Sequence, residues 1–290
     1  MNVAARGIGN LTMDETPADL RFAEIWLHDN AFRNINVADL ADHLGYSESH
    51  LRRIFLREFG HSPGRYRDIL RIEKASLMLA RTKLPIIEIA NLCGYTSHPI
   101  FTRAFRHNKG VSPRTFRMRA WRRLRMENSV AASISDSTGY DIQFLQHIEH
   151  EFFVVRHYGH LAAGAQKKAW SYYTSSHLSH SARYSQAAWI FHGDASITPE
   201  ERFKFDLGFR CNQLRKGINT RLFRHTVVKA NRAISTRFKH AEDIPWIREY
   251  LLLKWLPEHN ENINGEPMCV IFDAHDSCDG AGHLILPLHS

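Results

Sequence analysis

The chain has 290 residues, 43% of which are hydrophobic, and this is enough to bury two separate cores. No apolar run approaches the roughly 20 residues that span a bilayer, and the N-terminus lacks the basic-then-apolar pattern of an export signal. The four cysteines are widely spaced, which disfavours a zinc site and a disulfide framework. We expect a cytoplasmic, non-membrane protein of two domains with reduced thiols and without a metal or a cofactor.

The excess of positive over negative charge lies entirely in the first 125 residues of the chain. The formal net charge is +8. Residues 1–125 contain 21 Lys and Arg against 12 Asp and Glu, which gives +9, whereas the remainder contains 17 against 18, which gives −1. A positive field attracts phosphate and drives association with nucleic acid by counterion release. A merely basic surface is the alternative interpretation.

One helix-turn-helix pattern occurs twice between Val37 and Arg117. Its equivalent residues are 50 positions apart in the pairs Phe55/Phe105, Gly60/Gly110 and Pro63/Pro113, and 49 apart in the pair Gly45/Gly94. The sequence therefore predicts a duplicated unit, with one residue added in the second turn.

The first copy is preceded by residues 1–16, which read as a loose tail, and by a packing helix that begins near Pro17. Apolar residues at helical spacing then lead to Gly45. Glycine tolerates the positive φ that a tight turn between helices needs. Ser47 is placed to cap the helix that follows.

The helix at about Glu48 to Phe59 has an apolar face and a polar face. Its outward residues are Ser49, Arg52, Arg53 and Arg57. Arg can bridge O6 and N7 of guanine with two hydrogen bonds, and Ser and Arg also hold phosphates. The pattern predicts a DNA recognition helix, and the alternative is a solvated basic face.

The next helix connects the two copies. Residues 63–82 contain about 18 helical residues, or roughly 27 Å at 1.5 Å each. Together with the neighbouring helices, this helix can hold two recognition helices about 34 Å apart, which is about one turn of DNA.

The second recognition helix is expected at about Ser97 to Lys109, where Ile100 can pack or contact thymine methyl groups. Its outward residues are His98, Thr102, Arg103 and Arg106, and Pro99 lies near its start.

The second copy contains a long ordered pattern: Ala90-x-x-Cys93-Gly94-Tyr95, Phe101-x-Arg103-x-Phe105 and Gly110-Val111-Ser112-Pro113-x-x-Phe116-Arg117. Over about residues 18–120 the chain resembles the AraC/XylS family of bacterial transcription regulators. The resemblance implies an all-α, homeodomain-like module of seven helices that binds double-stranded DNA, generally as an activator that contacts RNA polymerase. It assigns DNA contacts to Ser49, Arg52 and Arg53, and to His98, Pro99, Thr102 and Arg103. Two units on one rigid helix suggest a monomer on an asymmetric, somewhat bent site.

The second half has a different sequence pattern. Arg119 to Arg125 is a basic run that either lies near phosphate or forms a solvated helix end, and residues 126–141 read as a linker between domains 17–125 and 142–290. Strands are expected at 142–158, 187–191, 205–211, 226–238, 268–273 and 283–288, with helices at 166–173 and 245–256. This order predicts an α+β domain with a mixed sheet, helices on one side and a weak internal repeat.

This half resembles the GyrI-like effector-binding domains. The residues that carry the resemblance are His157-Tyr158-Gly159-His160, Trp170, Ala195 to Pro199, Phe205-Asp206, Arg237-Phe238-Lys239-His240, Trp255-Leu256-Pro257 and Ile285-Leu286-Pro287. The fusion resembles Rob-type regulators of multidrug and stress responses, and it implies a groove for a small apolar effector. Candidate lining residues, each of which can equally be core, are Trp170, Tyr172, Phe191, Phe209, Phe272 and His283.

Members of that family that bind cations commonly have a Glu on a late strand. The matching positions here are Val270 and His283. Without that carboxylate the groove loses its main attraction for a lipophilic cation, so we expect a neutral or anionic effector, or none.

Two further functions for the second half are weighed. It is either a protein-interaction module instead of a sensor, or a ligand-hydrolysing enzyme, although the missing Glu argues against hydrolysis. No nucleophile elbow, phosphate loop or paired-carboxylate motif occurs, so we expect no enzyme. Among the 19 histidines, His177 and His180 have a spacing that suits chelation on a helix, but no third ligand is evident, so no metal is expected.

Overall fold

The computed structural model describes residues 17–33, 36–131, 140–159, 169–171, 173, 186–194, 197–198, 203–210, 223–273, 278 and 280–290. The chain divides into a helical unit within Thr12–Arg125 and a sheet-rich unit within Met126–Ser290. The predicted tail at residues 1–16 lies outside the described residues. Within the described ranges, no helix is long and apolar enough to cross a membrane.

The described part of the helical unit contains seven helices. They are α1 Ala18–Asn30, α2 Val37–His43, α3 Glu48–Phe59, α4 Pro63–Arg81, α5 Ile86–Leu92, α6 His98–Lys109 and α7 Pro113–Ala131. The helices predicted at 48–59, 63–82 and 97–109 are confirmed to within one residue as α3, α4 and α6. Residues 126–131, predicted as linker, instead continue α7, because no Gly or Pro interrupts the helix there.

Both turns have the same backbone geometry. Gly45 and Gly94 lie in the left-handed region, with φ of 69° and 76°. In each turn the amide of the next tyrosine donates to an alanine carbonyl of the preceding helix, from Tyr46 to Ala41 at 2.9 Å and from Tyr95 to Ala90 at 3.0 Å. The predicted positive φ at Gly45 is confirmed.

The helix after each turn begins and ends in the same way. The Oγ of Ser47 accepts a hydrogen bond from the amide of His50 at the start of α3, and Ser97 accepts one from Ile100 at the start of α6. The C-caps Gly60 and Gly110 have φ of 71° and 72°. These caps satisfy backbone groups that a helix end leaves without an intrahelical partner.

Each copy has its own hydrophobic core, and α4 contributes to both. The first core contains Leu20, Ala23, Leu27, Ala31, Val37, Leu40, Ala41, Leu51, Phe55, Tyr66 and Leu70. The second contains Ile72, Ala75, Met78, Leu79, Leu84, Ile89, Ala90, Cys93, Tyr95, Phe101 and Phe105. Because one continuous helix supplies residues to both cores, it fixes the two copies relative to each other.

The sheet-rich unit contains six described strands that close into a barrel in the order β1-β3-β2-β5-β6-β4. They are β1 Ile142–Tyr158, β2 Ala187–Phe191, β3 Lys204–Arg210, β4 Arg224–Phe238, β5 Met268–Phe272 and β6 Gly282–Leu288. The predicted strands are confirmed to within two residues where they are described.

The expectation of a mixed sheet is wrong, because each pairing between these strands is antiparallel. A helix between two strands suggested a parallel crossover. Here, however, the strand that follows the helical segment pairs with β3 and β5 and not with β1. The barrel consists of two similar halves, β1-β3-β2 and β4-β6-β5, which meet where β1 pairs with β4 and β2 pairs with β5.

In chain order, helical segments occur between β1 and β2 and between β4 and β5. Residues 169–171 and 173 are helical in the first half. In the second half α8, Ile244–Tyr250, continues through a π-helical turn, Leu251–Trp255, into a last turn, Leu256–Glu258. Residues that share a core within the sheet include Ile148, Phe152, Val154, Ala188, Ile190, Val228, Ala233, Cys269, Ile271 and Ile285.

Candidate nucleic-acid interface

The outward face of α3 carries the side chains that the sequence predicts. Ser49, Arg52, Arg53 and Arg57 are exposed. On the opposite face Leu51 and Phe55 are fully buried, and the ring of Phe55 lies 5.5 Å from that of Tyr66 on α4. This aromatic contact holds the helix by its apolar side, so the arginines face solvent from a rigid base.

Two of these arginines are already positioned by local contacts. Arg52 Nη2 lies 3.0 Å from Glu48 Oε2, one turn earlier, and Arg53 Nη2 lies 3.2 Å from His50 Nδ1. The exposed ion pair between Arg52 and Glu48 contributes little free energy, and the contact between Arg53 and His50 is an exposed hydrogen bond. A phosphate or a base edge can therefore replace either partner at small cost.

The outward face of α6 is similar, with one difference. His98, Pro99, Arg103 and Arg106 are exposed. Thr102 is only partly exposed, and its Oγ1 is buried without a hydrogen-bond partner among the described residues. The sequence predicts an outward Thr102, but its hydroxyl oxygen is not accessible on the outward face.

Aromatic rings also anchor α6. Phe101 and Phe105 are fully buried, and Phe105 contacts Phe116 at the start of α7 with 5.4 Å between ring centroids. Tyr95, in the turn, lies 5.3 Å from Phe101. These contacts therefore hold α6 in its first turn and near its middle.

The sequence interpretation missed one exposed residue on the face of α3. Leu56 is 51% exposed and lies three and four residues after Arg53 and Arg52, so it extends their stripe. The equivalent position of α6 is Arg106. Helical spacing alone was sufficient to identify Leu56, but the sequence analysis named only the polar and charged residues of this face.

The candidate effector residues do not all lie together. Phe191 and Phe272 both contact Trp189, at 6.2 and 4.8 Å between ring centroids. Phe209 instead packs between Phe153 and Phe223, at 5.9 and 5.3 Å.

The remaining candidates have different surroundings. Trp170 is buried, and Tyr172 lies outside the described residues. His283 is partly exposed, with Nε2 3.8 Å from Asp273 Oδ1. Val270, at a position of the missing Glu, is fully buried and pairs with Trp189 across the β2–β5 seam.

A buried charge cluster, which the sequence analysis did not predict, lies around Asp206. This carboxylate is fully buried and accepts hydrogen bonds from Arg156 Nε at 2.9 Å and from Arg224 Nη2, while His192 Nε2 lies 2.6 Å away. Burial alone would raise the pKa of Asp206, but the two arginines and His192 hold that pKa well below its usual range. The cluster therefore joins β1, β3 and β4 through a permanently ionised carboxylate.

Two buried thiols stay neutral. Burial raises the pKa of the Cys93 and Cys269 thiols to about 12, so these thiols are unreactive at neutral pH. Among the described residues, no cluster of three or more His, Cys, Asp or Glu is arranged to hold a metal ion.

The comparisons with known proteins concern the helical part of the chain. A helix-turn-helix domain family matches residues 40–119. The chain is 31% identical over 93 residues to the multiple antibiotic resistance protein MarA of Escherichia coli K12, covering 32% of this chain and 73% of MarA. It is 32% identical over 94 residues to the HTH-type transcriptional activator AarP of Providencia stuartii, covering 32% of this chain and 70% of AarP.

A solved structure is also similar. The C-terminal domain of AraT, a response regulator from Geobacillus stearothermophilus, is 30% identical and covers 36% of this chain and 87% of that chain, with a TM-score of 0.35.

Proposed function

This chain belongs to the AraC-type family of DNA-binding helix-turn-helix transcription regulators, and we propose that it binds an asymmetric DNA site as a monomer, with α3 and α6 in successive major grooves. The observation that carries this proposal is the repetition of one turn geometry on one rigid connecting helix. Arg53 and Arg103 occupy equivalent positions 50 residues apart, and both are exposed. The 19 residues of α4 correspond to about 28 Å, a length that suits two recognition helices about one DNA turn apart.

The exposed residues have distinct proposed roles. Arg53 and Arg103, at the centre of each outward face, read base edges, because Arg can donate two hydrogen bonds to guanine. Ser49, Arg52 and His98 contact bases or nearby phosphates, and Pro99 packs against the groove wall. Arg57 and Arg106, near the ends of α3 and α6, hold phosphates.

The regulated response is proposed from the relatives. MarA is named for multiple antibiotic resistance and AarP as a transcriptional activator. We therefore propose that this cytoplasmic regulator activates genes of a stress or resistance response and contacts RNA polymerase to do so.

For the second half we propose a GyrI-like effector-binding domain over residues 142–290. Residues 126–141, which begin with the end of α7, separate it from a DNA-binding domain over residues 17–125. The repeated strand order β1-β3-β2 and β4-β6-β5, with a helical segment after the first strand of each half, supports this assignment. The buried, apolar Val270 supports a neutral or anionic effector over a cation.

The test of the DNA proposal is selection of bound duplexes from a random pool, followed by footprinting of the full chain on the enriched sequence. We expect a non-palindromic site with two protected segments about one helical turn apart on one face of the DNA. Protection of a single groove segment, or enrichment of a palindrome bound by two chains, would contradict the proposal.

One observation favours a second function for the sheet-rich unit. Trp246, on α8, is 62% exposed, and exposed aromatic residues are enriched at protein-protein interfaces. If this unit is an interaction module, the Trp246→Ala variant loses the partner's effect on transcription while its DNA affinity is unchanged. If it is a sensor, apolar compounds raise the melting temperature of the full chain, and the variant retains that response.

A further inference from the structure

The exposed side of α7 is lined by arginines. Arg114, Arg119, Arg122 and Arg123 are all exposed. Arg119, Arg122 and Arg123 are three and four residues apart, so they share one helical face. Like charges at this spacing destabilise an isolated helix, and an anionic partner would remove that repulsion.

The duplication shows how unusual this face is. The counterpart of α7 in the first copy is α4, whose Ile69 and Ile72 are buried, Ile72 within the second core. The residues 50 positions later are Arg119 and Arg122. Two positions that are buried in α4 are therefore charged and exposed in α7. Met118 is also exposed on α7, but the charges at Arg119, Arg122 and Arg123 are all positive, which suits a polyanion.

We propose that this arginine face of α7 binds the phosphate backbone of DNA beside the groove that α6 enters, an inference that rests on the proposed function. The position of α7 selects DNA as the polyanion. Only three residues separate Lys109 at the end of α6 from Pro113 at the start of α7, and Lys109 Nζ lies 6.0 Å from the ring of Phe116 in the first turn of α7. DNA held by α6 therefore lies next to the start of the arginine face.

The contact is independent of base sequence, because guanidinium groups on a helix surface recognise phosphate by charge and hydrogen bonding. It extends the footprint beyond the two recognition helices and increases the salt dependence of binding. Each phosphate contact adds about 0.9 to the slope of log K against log salt concentration.

The experiment compares the full chain with the Arg119→Gln/Arg122→Gln/Arg123→Gln variant on the selected duplex and on a scrambled duplex, between 50 and 200 mM salt. If each arginine holds one phosphate, the variant's slope of log K against log salt concentration is shallower by about 2.7. Raising the salt from 50 to 200 mM then weakens the variant's binding by a factor about 40-fold smaller than the factor for the unchanged chain. The effect is equal on both duplexes, so the discrimination ratio is unchanged.

Two controls accompany this variant. Lys229→Gln/Arg237→Gln/Lys239→Gln removes the same formal charge from the sheet-rich unit and should leave the slope unchanged. Arg119→Lys/Arg122→Lys/Arg123→Lys keeps the charge and should retain most of the slope, since Lys also binds phosphate. Helix content and melting temperature establish that each variant is folded.

The possible outcomes separate the inference from the proposed function. A chain that does not prefer the selected duplex over the scrambled one contradicts the proposed function and this inference with it. A chain that prefers the selected duplex, but whose glutamine variant keeps the full salt slope, contradicts only the inference, and the arginine face then serves another polyanion or an acidic protein. A loss of discrimination would also contradict it, because it indicates base contacts.

Discussion

Arg71 on α4 donates a hydrogen bond through Nε to the backbone oxygen of Ala31, at the end of α1, over 2.6 Å. Its Nη2 also donates to the backbone oxygen of Arg33 at 2.9 Å, and its guanidinium lies 5.5 Å above the ring of Tyr95 in the second turn. One buried side chain therefore connects the first helix of the first copy to the turn of the second. Burial lowers the pKa of Arg71, although arginine remains protonated at neutral pH.

Replacement of Arg71 should therefore weaken both copies. In Arg71→Leu the carbonyls of Ala31 and Arg33 lose their donor, and an unsatisfied buried acceptor costs about 1–3 kcal/mol of unfolding free energy. Urea unfolding followed by circular dichroism measures this cost. The matched control is Arg114→Leu, which removes an exposed arginine and should change stability by less than about 0.5 kcal/mol. Equal stabilities of the two variants would show that the Arg71 contacts contribute nothing.

The two turn glycines should respond differently to substitution. Both have positive φ, but a Cβ on Gly94 would lie 2.6 Å from the backbone oxygen of Phe32, whereas a Cβ on Gly45 meets nothing within 4 Å. Gly45→Ala should cost about 1–2 kcal/mol from the left-handed conformation alone, and Gly94→Ala should cost more because a backbone atom must move. The measurement is the unfolding free energy of each variant.

Asparagine separates the two causes. It tolerates the left-handed region better than alanine, so Gly45→Asn should recover much of the stability that Gly45→Ala loses. Gly94→Asn should recover none, because the contact with Phe32 remains. Equal recovery at both positions would refute the steric explanation.

The sequence predicted the helical unit well because its signals are local. Ser47 and Gly60 mark the ends of α3, and Ser97 and Gly110 mark those of α6, so the helix bounds follow from residues close in the chain. The role of Arg71 could not be predicted, because its acceptor Ala31 is 40 residues away. Similarly, Thr102 fits the outward spacing, but only the rotamer in the folded helix shows that its hydroxyl is buried.

The sheet-rich unit shows the opposite limit. Apolar residues at strand spacing predicted the first strand, because this spacing depends on the two faces of one strand. The pattern along one strand does not show which strands are neighbours, and the prediction of a mixed sheet was therefore wrong. The charges around Asp206 come from Arg156, His192 and Arg224, which lie on different parts of the barrel. Such a cluster can be recognised only once the pairing is known.

Base discrimination should depend on the central arginine of each recognition helix. Arg53→Ala and Arg103→Ala should each cost about 1–3 kcal/mol of discrimination at particular base pairs, because a bidentate contact to guanine is lost. Affinities for a panel of duplexes with single base-pair changes give the measurement. Arg57→Ala is the control and should weaken binding uniformly. Uniform weakening by all three variants would assign Arg53 and Arg103 to phosphate.

The sheet-rich unit should lose stability in mild acid through His157. This imidazole stacks on Phe205 with 5.0 Å between ring centroids, and its Nε2 lies 2.9 Å from Tyr173 Oη. Burial lowers the pKa of His157 to about 4, against a value of 6.5 for an unperturbed histidine. The unfolded chain therefore binds a proton that the folded chain excludes between these values. His157 makes its full contribution to stability above pH 6.5 and loses it as the pH falls toward 4.

The test is the unfolding free energy of the full chain and of His157→Phe at several pH values from 7 to 4.5, with fluorescence as the probe. Phenylalanine retains the stacking and cannot be protonated, so the variant should lose less stability over this range, by up to about 2 kcal/mol. His150 and His192 also have pKa values lowered by burial, and they keep a residual pH dependence in the variant. His225→Phe changes an exposed histidine beside Glu151 and is the control. If His157→Phe and the unchanged chain lose stability in parallel, His157 does not exclude a proton in the folded state.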